Sequence, residues 1–334
     1  MDATQTPTTN SGNATPTTIT LQLPDMGAID VQIVVFGQEF NVQSARLKLH
    51  SPFFRSSINW PGRSETDCAV AFRLRYTSVT EEDGTWSLQD TSRVNDTAAS
   101  QHPLNGDTET EIEAFYLVLA AIYDHPLAIN TVDGLVSAVG LADYYGLDEK
   151  MFPSWVSSVL AQSHNLQACI HRDCKVLLPV AAQLKNAVLF RECVVHIAGA
   201  HWRRPEEVWE EFEAWKVKRL IWIACGRIND KIRKLQGLYH YDHLCSRLRE
   251  AVPSGHLDPE KRLPEFLYAL HYNHCALHRS LFVYAHDLME ELLTNNLKLH
   301  GKDMVVGKNE DLLDTFLCAE VEDQDLPWNT AQGK

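Results

Sequence analysis

The chain has 334 residues, of which 45% are hydrophobic, so it can form one large or two ordinary globular domains. Its formal net charge of −14 repels the phosphate backbone of nucleic acids, and binding to them would need a local basic patch. The sequence has no apolar run near the roughly 20 residues that cross a bilayer and no signal-peptide pattern, so we expect an intracellular protein, cytoplasmic or nuclear, without a membrane partner.

The N-terminal residues 1–18 are rich in threonine and almost lack large apolar side chains. Such a segment cannot bury enough apolar surface to offset the entropy lost on ordering, so we predict a disordered tail. Beyond it, Ile19, Leu21 and Leu23 alternate with polar residues, which indicates a short strand at the start of a folded domain over residues 19–162.

Residues 30–54 change from a hydrophobic period of two to a period of about 3.6, which predicts two strands followed by two short helices. Apolar residues occupy alternate positions in the first strand and in its antiparallel return: Val31, Ile33, Val35, Phe40 and Val42. Ser44 is typical of a helix start. The Ser51-Pro52 step ends one helix, and its proline can open the next.

This opening segment carries a set of pattern residues at fixed spacing: Asp30, Phe40, Val42, Leu47, Ser51 and Phe54. Their order resembles the start of the BTB/POZ domain, and the Val-x-Ser sequence ending at Ser44 resembles fungal members of that family. The resemblance implies a small sheet flanked by helices. It also implies a surface that binds other proteins, often a second copy of the chain, and no catalytic site or cofactor.

The segment after the helical hairpin predicts a third strand that ends near Tyr76. An Asp-Gly turn at residues 83–84 then indicates that the chain folds back as a second hairpin. Polar residues follow up to position 109, which is typical of a loop. We therefore predict that residues 77–109 form an acidic insertion made of a hairpin and a loop.

Three amphipathic helices are predicted next, with starts near residues 109, 132 and 149, because apolar residues recur at three- and four-residue steps. Two motifs within them, Leu141-Ala-Asp-Tyr-Tyr145 and Pro153-x-Trp155, again resemble fungal BTB domains. The resemblance therefore covers roughly residues 28–162.

The same resemblance implies which residues contact partners. In many animal BTB domains an aspartate at the Asp30 position faces a basic residue near the dimer axis. Here Ser44 stands at the basic position, so Asp30 is expected to bind solvent or backbone. Cullin-binding members carry a hydrophobic-x-Glu tripeptide after the third strand, which Val79-Thr80-Glu81 fits. The resulting protein-interaction prediction comprises Asp30, Arg46, Leu47, Phe53, Phe54, Val79 and Glu81.

Residues 163–317 show helical periodicity almost throughout and hardly any strand alternation, which predicts an all-α domain. Pro205 followed by two glutamates is a typical helix start, and Trp215 is expected in the apolar stripe that follows. Residues 318–334 contain several acidic side chains and are predicted to form an acidic tail.

Four residues with metal-binding side chains fall on one face of a predicted helix: His271, His274, Cys275 and His278. Zinc takes nitrogen and sulfur ligands, so a metal-dependent enzyme is an alternative hypothesis. Further ligands could come from the motifs Cys169-x-His171-x-x-Cys174 and Cys193-x-x-His196. Neither has the paired Cys-x-x-Cys spacing of a strong zinc motif. Packed or surface side chains are the preferred interpretation, and no metal is predicted.

Other catalytic signals are missing from the sequence. It contains no Gly-x-Ser-x-Gly motif, no P-loop and no dinucleotide-binding glycine motif, so we predict that the protein is not an enzyme. Its eight cysteines are spread from Cys68 to Cys318 without dense spacing. In an intracellular chain this distribution predicts reduced, packed thiols rather than a disulfide framework.

A basic stretch between Lys216 and Lys234 is the basis of a second alternative, a nucleic-acid-binding regulator that would stack bases on Trp215 and Trp222. Basic side chains toward the end of a helix also complement its dipole, and the tryptophans have the spacing of an apolar stripe. A solvated helix face with the tryptophans on the packed side is therefore the preferred interpretation.

The sequence thus predicts an α+β fold, with a BTB/POZ-like small sheet flanked by helices and an all-α C-terminal domain. The predicted function is that of a non-catalytic adaptor or scaffold. We expect it to form a homo-oligomer through exposed apolar surface on the first helix and the N-terminal strand of the front domain. The helical domain is expected to recruit a protein partner. A cullin ubiquitin ligase and a transcriptional complex are the two assemblies considered.

Overall fold

The structure is a computed structural model of the chain. It describes residues 18–58, 72–93, 102–210, 212–237, 263–272, 283–308 and 316–329. The chain divides into two compact units. The first unit comprises residues 1–127 and 133–155, and the helical unit comprises residues 128–132 and 156–334. A sheet and many helices are both present, so the predicted mixture of α and β structure is confirmed. The threonine-rich residues 1–17 lie outside the described residues.

The first unit is built on a mixed five-stranded sheet. Its strands are β1 (Ile19–Thr20), β2 (Val31–Val35), β3 (Gln38–Val42), β4 (Leu74–Thr80) and β5 (Trp86–Asp90). They lie in the order β1-β3-β2-β4-β5, with β2/β3 and β4/β5 antiparallel and the other two pairs parallel. Ile33 is opposite both Phe40 and Tyr76, and all three side chains are buried, so one face of the sheet forms the core.

The first unit also contains the helices α1 (Ser44–His50), α2 (Pro52–Ile58), α3 (Thr108–Tyr123) and α4 (Val132–Tyr144). The next helix, α5 (Met151–Val159), begins in the first unit and ends in the helical unit. The carboxylate of Asp107 accepts a hydrogen bond of 3.0 Å from the amide of Thr110 and thereby caps α3. Tyr145, just after α4, stacks on Phe54 with ring centroids 5.4 Å apart, so aromatic packing joins the end of α4 to α2.

The helical unit contains the rest of the described helices: α6 (His164–Gln183), α7 (Ala187–His201), α8 (Glu206–Trp209), α9 (Trp215–Gln236), α10 (Leu263–Tyr272) and α11 (Val283–Leu293). Every side chain of α7 from Leu189 to Ile197 is buried except that of Arg191, because α6 and α9 pack against it. Among the helices that the structure describes, none combines the length and apolarity needed to span a membrane.

The segment predicted to begin an acidic tail at residue 318 packs into the helical unit instead. Phe316 to Ala319 are buried, and the amide of Leu317 donates to the carbonyl of Gly199 on α7. Two of the acidic side chains beyond are paired with arginines: Arg191 binds Asp323, and Arg227 binds Asp325 at 2.7 Å. Distant arginines neutralise these carboxylates, and no local sequence pattern reveals such pairing.

Candidate functional site

Three of the residues predicted to contact partners lie in the core of the first unit. Leu47 and Phe54 are fully buried, and Val79 is nearly so on β4, which runs on to Thr80. Their side chains cannot reach a partner in this structure, which corrects the interaction prediction for all three. The pattern marks these positions because the fold needs their apolar side chains inside.

Asp30 and Arg46 are used within the first unit. The Asp30 carboxylate accepts hydrogen bonds from the amide of Ser44 at 2.7 Å and from its hydroxyl at 2.6 Å. It therefore satisfies a backbone donor at the first residue of α1, which has no helical partner. Arg46 donates through Nε to the carbonyl of Ile122, 2.6 Å away in the last turn of α3. The two side chains thus have separate partners in place of a charged pocket.

The remaining predicted residues reach solvent, and two further apolar side chains lie on the surface. Phe53 is half-buried, and Glu81 is exposed and accepts a hydrogen bond of 2.7 Å from the Ser87 hydroxyl. The exposed ring of Tyr144 lies 6.0 Å from that of Phe53, and Leu49 on α1 is 55% exposed. Leu49 lies two residues after the buried Leu47 on α1 and therefore points to the opposite side of this short helix.

The helical unit exposes a larger aromatic surface on α9. Trp215 is 64% exposed and Trp222 is 53% exposed, which contradicts their assignment to the packed side of the helix. They are seven residues apart and so lie on one face, with Arg219 between them and Ile223 beside them. We call these four residues the α9 outer face. The opposite side of α9 is buried through Val217, Leu220, Ile221, Ala224, Cys225, Ile228, Ile232 and Leu235.

Part of the basic stretch on α9 is paired with acidic residues of the same chain. Lys231 lies 3.0 Å from both Glu291 and Glu320, and Arg227 binds Asp325. These cations are therefore engaged with nearby carboxylates, which weakens the case for a continuous phosphate-binding surface along the whole stretch.

The histidine-rich face proposed as a metal site is described only at His271, since positions 274, 275 and 278 lie outside the described ranges. The His271 ring on α10 is 4.2 Å from that of His286 on α11. Within the described part of the chain, one set of three potential ligands has all its ligand atoms within 4.8 Å of one another: His286, Asp287 and Glu290. All three are exposed on a single helix.

A second group of histidines lies deeper in the helical unit. We define the histidine cluster as His171 on α6, His196 on α7 and His300 in the turn after α11. Ring centroids are 4.5 Å apart for His171 and His300, 5.7 Å for His196 and His300, and 6.5 Å for His171 and His196. The cluster runs from the exposed His171 through the half-buried His300 to the buried His196.

His196 is the most unusual member of the histidine cluster. It is only 3% exposed, and its buried Nε2 atom has no hydrogen-bond partner. Burial, with smaller contributions from His300 and His171, lowers the pKa of His196 from 6.5 to about 3. The imidazole is therefore neutral at physiological pH and carries a lone pair on one ring nitrogen.

Glu192, one turn before His196 on α7, positions the third histidine. One carboxylate oxygen accepts from the amides of Leu299 (2.9 Å) and His300 (2.8 Å), and the other accepts from the amide of Lys298 (2.9 Å). Burial raises the pKa of Glu192, and these three hydrogen bonds oppose that shift. The carboxylate thus holds the backbone of residues 298–300 and fixes the position of His300 beside the other two rings.

The cysteines near the histidine cluster are packed thiols. Burial raises the pKa of Cys174 to about 11 and that of Cys193 well above its ordinary value, so both are protonated at neutral pH. All five cysteines in the described ranges are free thiols. The sequence paired the motifs around His171 and His196 with the His271 face, whereas the structure brings these two motifs together and adds His300, which has no motif of its own.

Comparison with protein-family models, with curated proteins and with solved structures finds no match to this chain in any of the three. The resemblance to BTB/POZ domains therefore rests on the pattern residues and the order of strands and helices, and it remains a proposal.

Proposed function

We propose that this protein is a non-catalytic adaptor that forms a homo-oligomer through the first unit and recruits a second protein through the helical unit. The α9 outer face is the observation that carries the proposal. Two tryptophans, an arginine and an isoleucine face solvent on one side of a helix whose other side is packed. Tryptophan and arginine are enriched among the residues that dominate binding energy in protein interfaces.

The charge of this surface supports an acidic partner. The segment from Trp215 to Ile223 contains three basic residues, Lys216, Lys218 and Arg219, and no acidic one. A partner segment with carboxylates around an apolar anchor would match both the charge and the aromatic surface. We favour a protein over a nucleic acid because the whole chain carries a net charge of −14 and because Lys231 and Arg227 are already paired with carboxylates.

The first unit supports self-association through its own exposed apolar residues. Leu49 and Tyr144 are each more than half exposed, and Phe53 lies beside Tyr144. The strand and helix order and the pattern residues resemble a BTB/POZ domain, whose members often dimerise. The N-terminal strand, expected to contribute to such a surface, pairs with β3 of its own sheet. In this proposal, contacts between copies come from the helices.

The recruitment proposal is tested with proteins that crosslink to Lys216 or Lys218 in native extract and are then purified. We expect Trp215→Ala/Trp222→Ala to weaken binding of such a protein by at least about 30-fold, the loss of about 2 kcal/mol that one hot-spot residue typically causes. Tyr284→Ala removes an aromatic residue of similar exposure from α11 and should leave the affinity unchanged. An unchanged affinity in the tryptophan variant, or binding to nucleic acid alone, contradicts the proposal.

Self-association and the kind of assembly need separate tests. Sedimentation should give a dimer for the unaltered chain and a monomer for Leu49→Glu/Tyr144→Glu, while Val136→Glu on another exposed part of α4 keeps the dimer. A monomeric unaltered chain would contradict this part of the proposal. A pull-down with a cullin scaffold, repeated with Glu81→Ala, decides the ligase version: no binding would remove it and leave the transcriptional version.

A further inference from the structure

The histidine cluster brings together three imidazoles that are far apart in the sequence. Residues 171 and 196 come from two packed helices, and residue 300 comes from a turn that follows α11. Their ring centroids are 4.5 to 6.5 Å apart. Zinc–nitrogen bonds of about 2.0–2.1 Å and tetrahedral angles place the centroids of bound imidazoles about 5 Å apart. The centroid spacings are close to this value, but the ligand nitrogens of the three rings are not all within 4.8 Å of one another in this conformation.

The buried member of the cluster points to a ligand. Protein interiors seldom leave a buried polar side-chain atom without a hydrogen bond, because such an atom loses its water without compensation. The Nε2 atom of His196 is buried in this way. The rings of Phe316, His300 and His171 surround this imidazole, with centroids 5.6, 5.7 and 6.5 Å from its own. A metal ion held between the three rings would supply the missing partner.

We propose that the histidine cluster is a binding site for a divalent metal ion of the zinc type, with His171, His196 and His300 as ligands. Imidazole is a preferred ligand of zinc and of its transition-metal neighbours. The exposed side of the cluster at His171 leaves a fourth position to water. This proposal does not depend on the adaptor function.

The surroundings of the cluster are suited to this role. His196 is fixed in the packed core of α7, and the Glu192 carboxylate holds the three amides that lead to His300. Groups around a metal site commonly orient its ligands, and Glu192 would orient His300 through its backbone. His171 and His300 now stack with an angle of 16° between their rings, and each reaches solvent. Because the ligand nitrogens do not converge in this conformation, metal binding requires the His171 and His300 side chains to rotate toward His196.

The exposed set His286, Asp287 and Glu290 serves as an internal control. Its ligand atoms are already close, but all three residues come from one helix and all are exposed. Exposed acidic groups on one helix often lie together without any metal, so this set carries no proposal of its own. Replacing His286 and Glu290 therefore shows whether zinc binds to these surface side chains or to the histidine cluster.

The test compares three forms of the full, tag-free chain after treatment with a chelator and its removal. They are the unaltered chain, His171→Ala/His300→Ala and His286→Ala/Glu290→Gln. The first pair of substitutions spares the buried His196, so the fold should be retained, and circular dichroism checks this. Calorimetric titration with Zn²⁺ measures how many ions bind each form and how tightly, and the visible absorption of bound Co²⁺ reports a tetrahedral nitrogen site.

We expect the unaltered chain to bind one zinc ion that His171→Ala/His300→Ala either does not bind or binds at least tenfold more weakly. Zinc should raise the melting temperature of the unaltered chain by more than that of this variant, because a ligand bound only to the folded state stabilises it. The His286→Ala/Glu290→Gln form should behave like the unaltered chain. Equal stoichiometry and affinity in the unaltered chain and the cluster variant would overturn the proposal. Loss of the same ion in the control would do so too.

Discussion

Replacing Gln43 with methionine should lower the free energy of unfolding of the first unit by about 2 kcal/mol. The Gln43 side chain is fully buried and holds the segment between β1 and β2. Its Oε1 accepts from the amide of Leu23 at 2.8 Å, while its Nε2 donates to the carbonyls of Leu23 at 2.9 Å and Gly27 at 2.6 Å. Methionine keeps the length and approximate volume of the side chain but can make none of these three bonds.

The magnitude follows from these contacts. Three hydrogen bonds at about 1 kcal/mol each give at most roughly 3 kcal/mol. Leu23 is half-buried and Gly27 is exposed, so water can satisfy some of the released backbone groups and the loss falls to about 2 kcal/mol. The matched control is Gln22→Met, which alters an exposed glutamine in the same segment and should change the stability by less than about 0.5 kcal/mol.

Urea unfolding followed by circular dichroism measures both variants, and amide exchange of residues 21–27 reports the local effect. Gln43→Glu should be more harmful at neutral pH, because a buried carboxylate would face two carbonyl oxygens. That extra loss should shrink as the pH falls and the carboxyl gains a proton, which lets it donate. This role of Gln43 would be contradicted if the unfolding free energy of Gln43→Met lay within about 0.5 kcal/mol of that of the unaltered chain, or if Gln22→Met lost as much.

Three further predictions concern the helical unit. In the presence of a chelator, the free energy of unfolding should fall by about 2 kcal/mol from pH 7 to pH 5. The pKa of His196 is about 3 in the folded chain and 6.5 in the unfolded chain, so over this range protons bind only the unfolded chain and favour it. His196→Gln should show a correspondingly weaker pH dependence in urea unfolding, and identical curves would count against the buried neutral state. Gly199→Ala should cost about 1–3 kcal/mol, since the added Cβ would lie 2.5 Å from the Phe316 ring and 2.6 Å from the Leu317 carbonyl oxygen. Gly226→Ala on α9, where nothing lies within 4 Å, should instead stabilise by up to about 1 kcal/mol, and thermal melting of both variants shows whether the signs differ as expected.

Elements whose signals are local could be predicted from the sequence. The change of period between Val31 and Phe54 specifies the β2–β3 hairpin and the two short helices, and the Asp-Gly turn specifies the β4–β5 hairpin. The end of β4 could not be predicted as well. The sequence placed it near Tyr76, but the strand continues to Thr80 because that residue pairs with Trp86 across the hairpin. Pairing between strands, rather than the propensity of either one, sets this boundary.

Features that depend on distant contacts could not be predicted. Periodicity assigns Trp215 and Trp222 to an apolar stripe, but the buried side of α9 is decided by what packs on it, and both tryptophans remain outside. His300 joins the histidine cluster only because Glu192, more than a hundred residues earlier, binds the backbone of its turn. No spacing rule connects two such positions. The candidate site therefore emerges from tertiary structure, although two of its three histidines lie in motifs that the sequence marks.

The contacts of α7 have a consequence for how the protein is made. Glu192 accepts hydrogen bonds from the amides of residues 298–300, and Gly199 lies against Phe316 and Leu317. Some contacts of α7 therefore come from segments that are translated about a hundred residues later. At synthesis rates of roughly 5–20 residues per second, this helix leaves the ribosome roughly 5–20 s before its covering segments. During that interval the part of α7 around Glu192 and Gly199 is uncovered, while α6 and α9 can already pack on the other sides of the helix. We expect a nascent polypeptide released before residue 298 to keep this part exposed and to be a target for quality control.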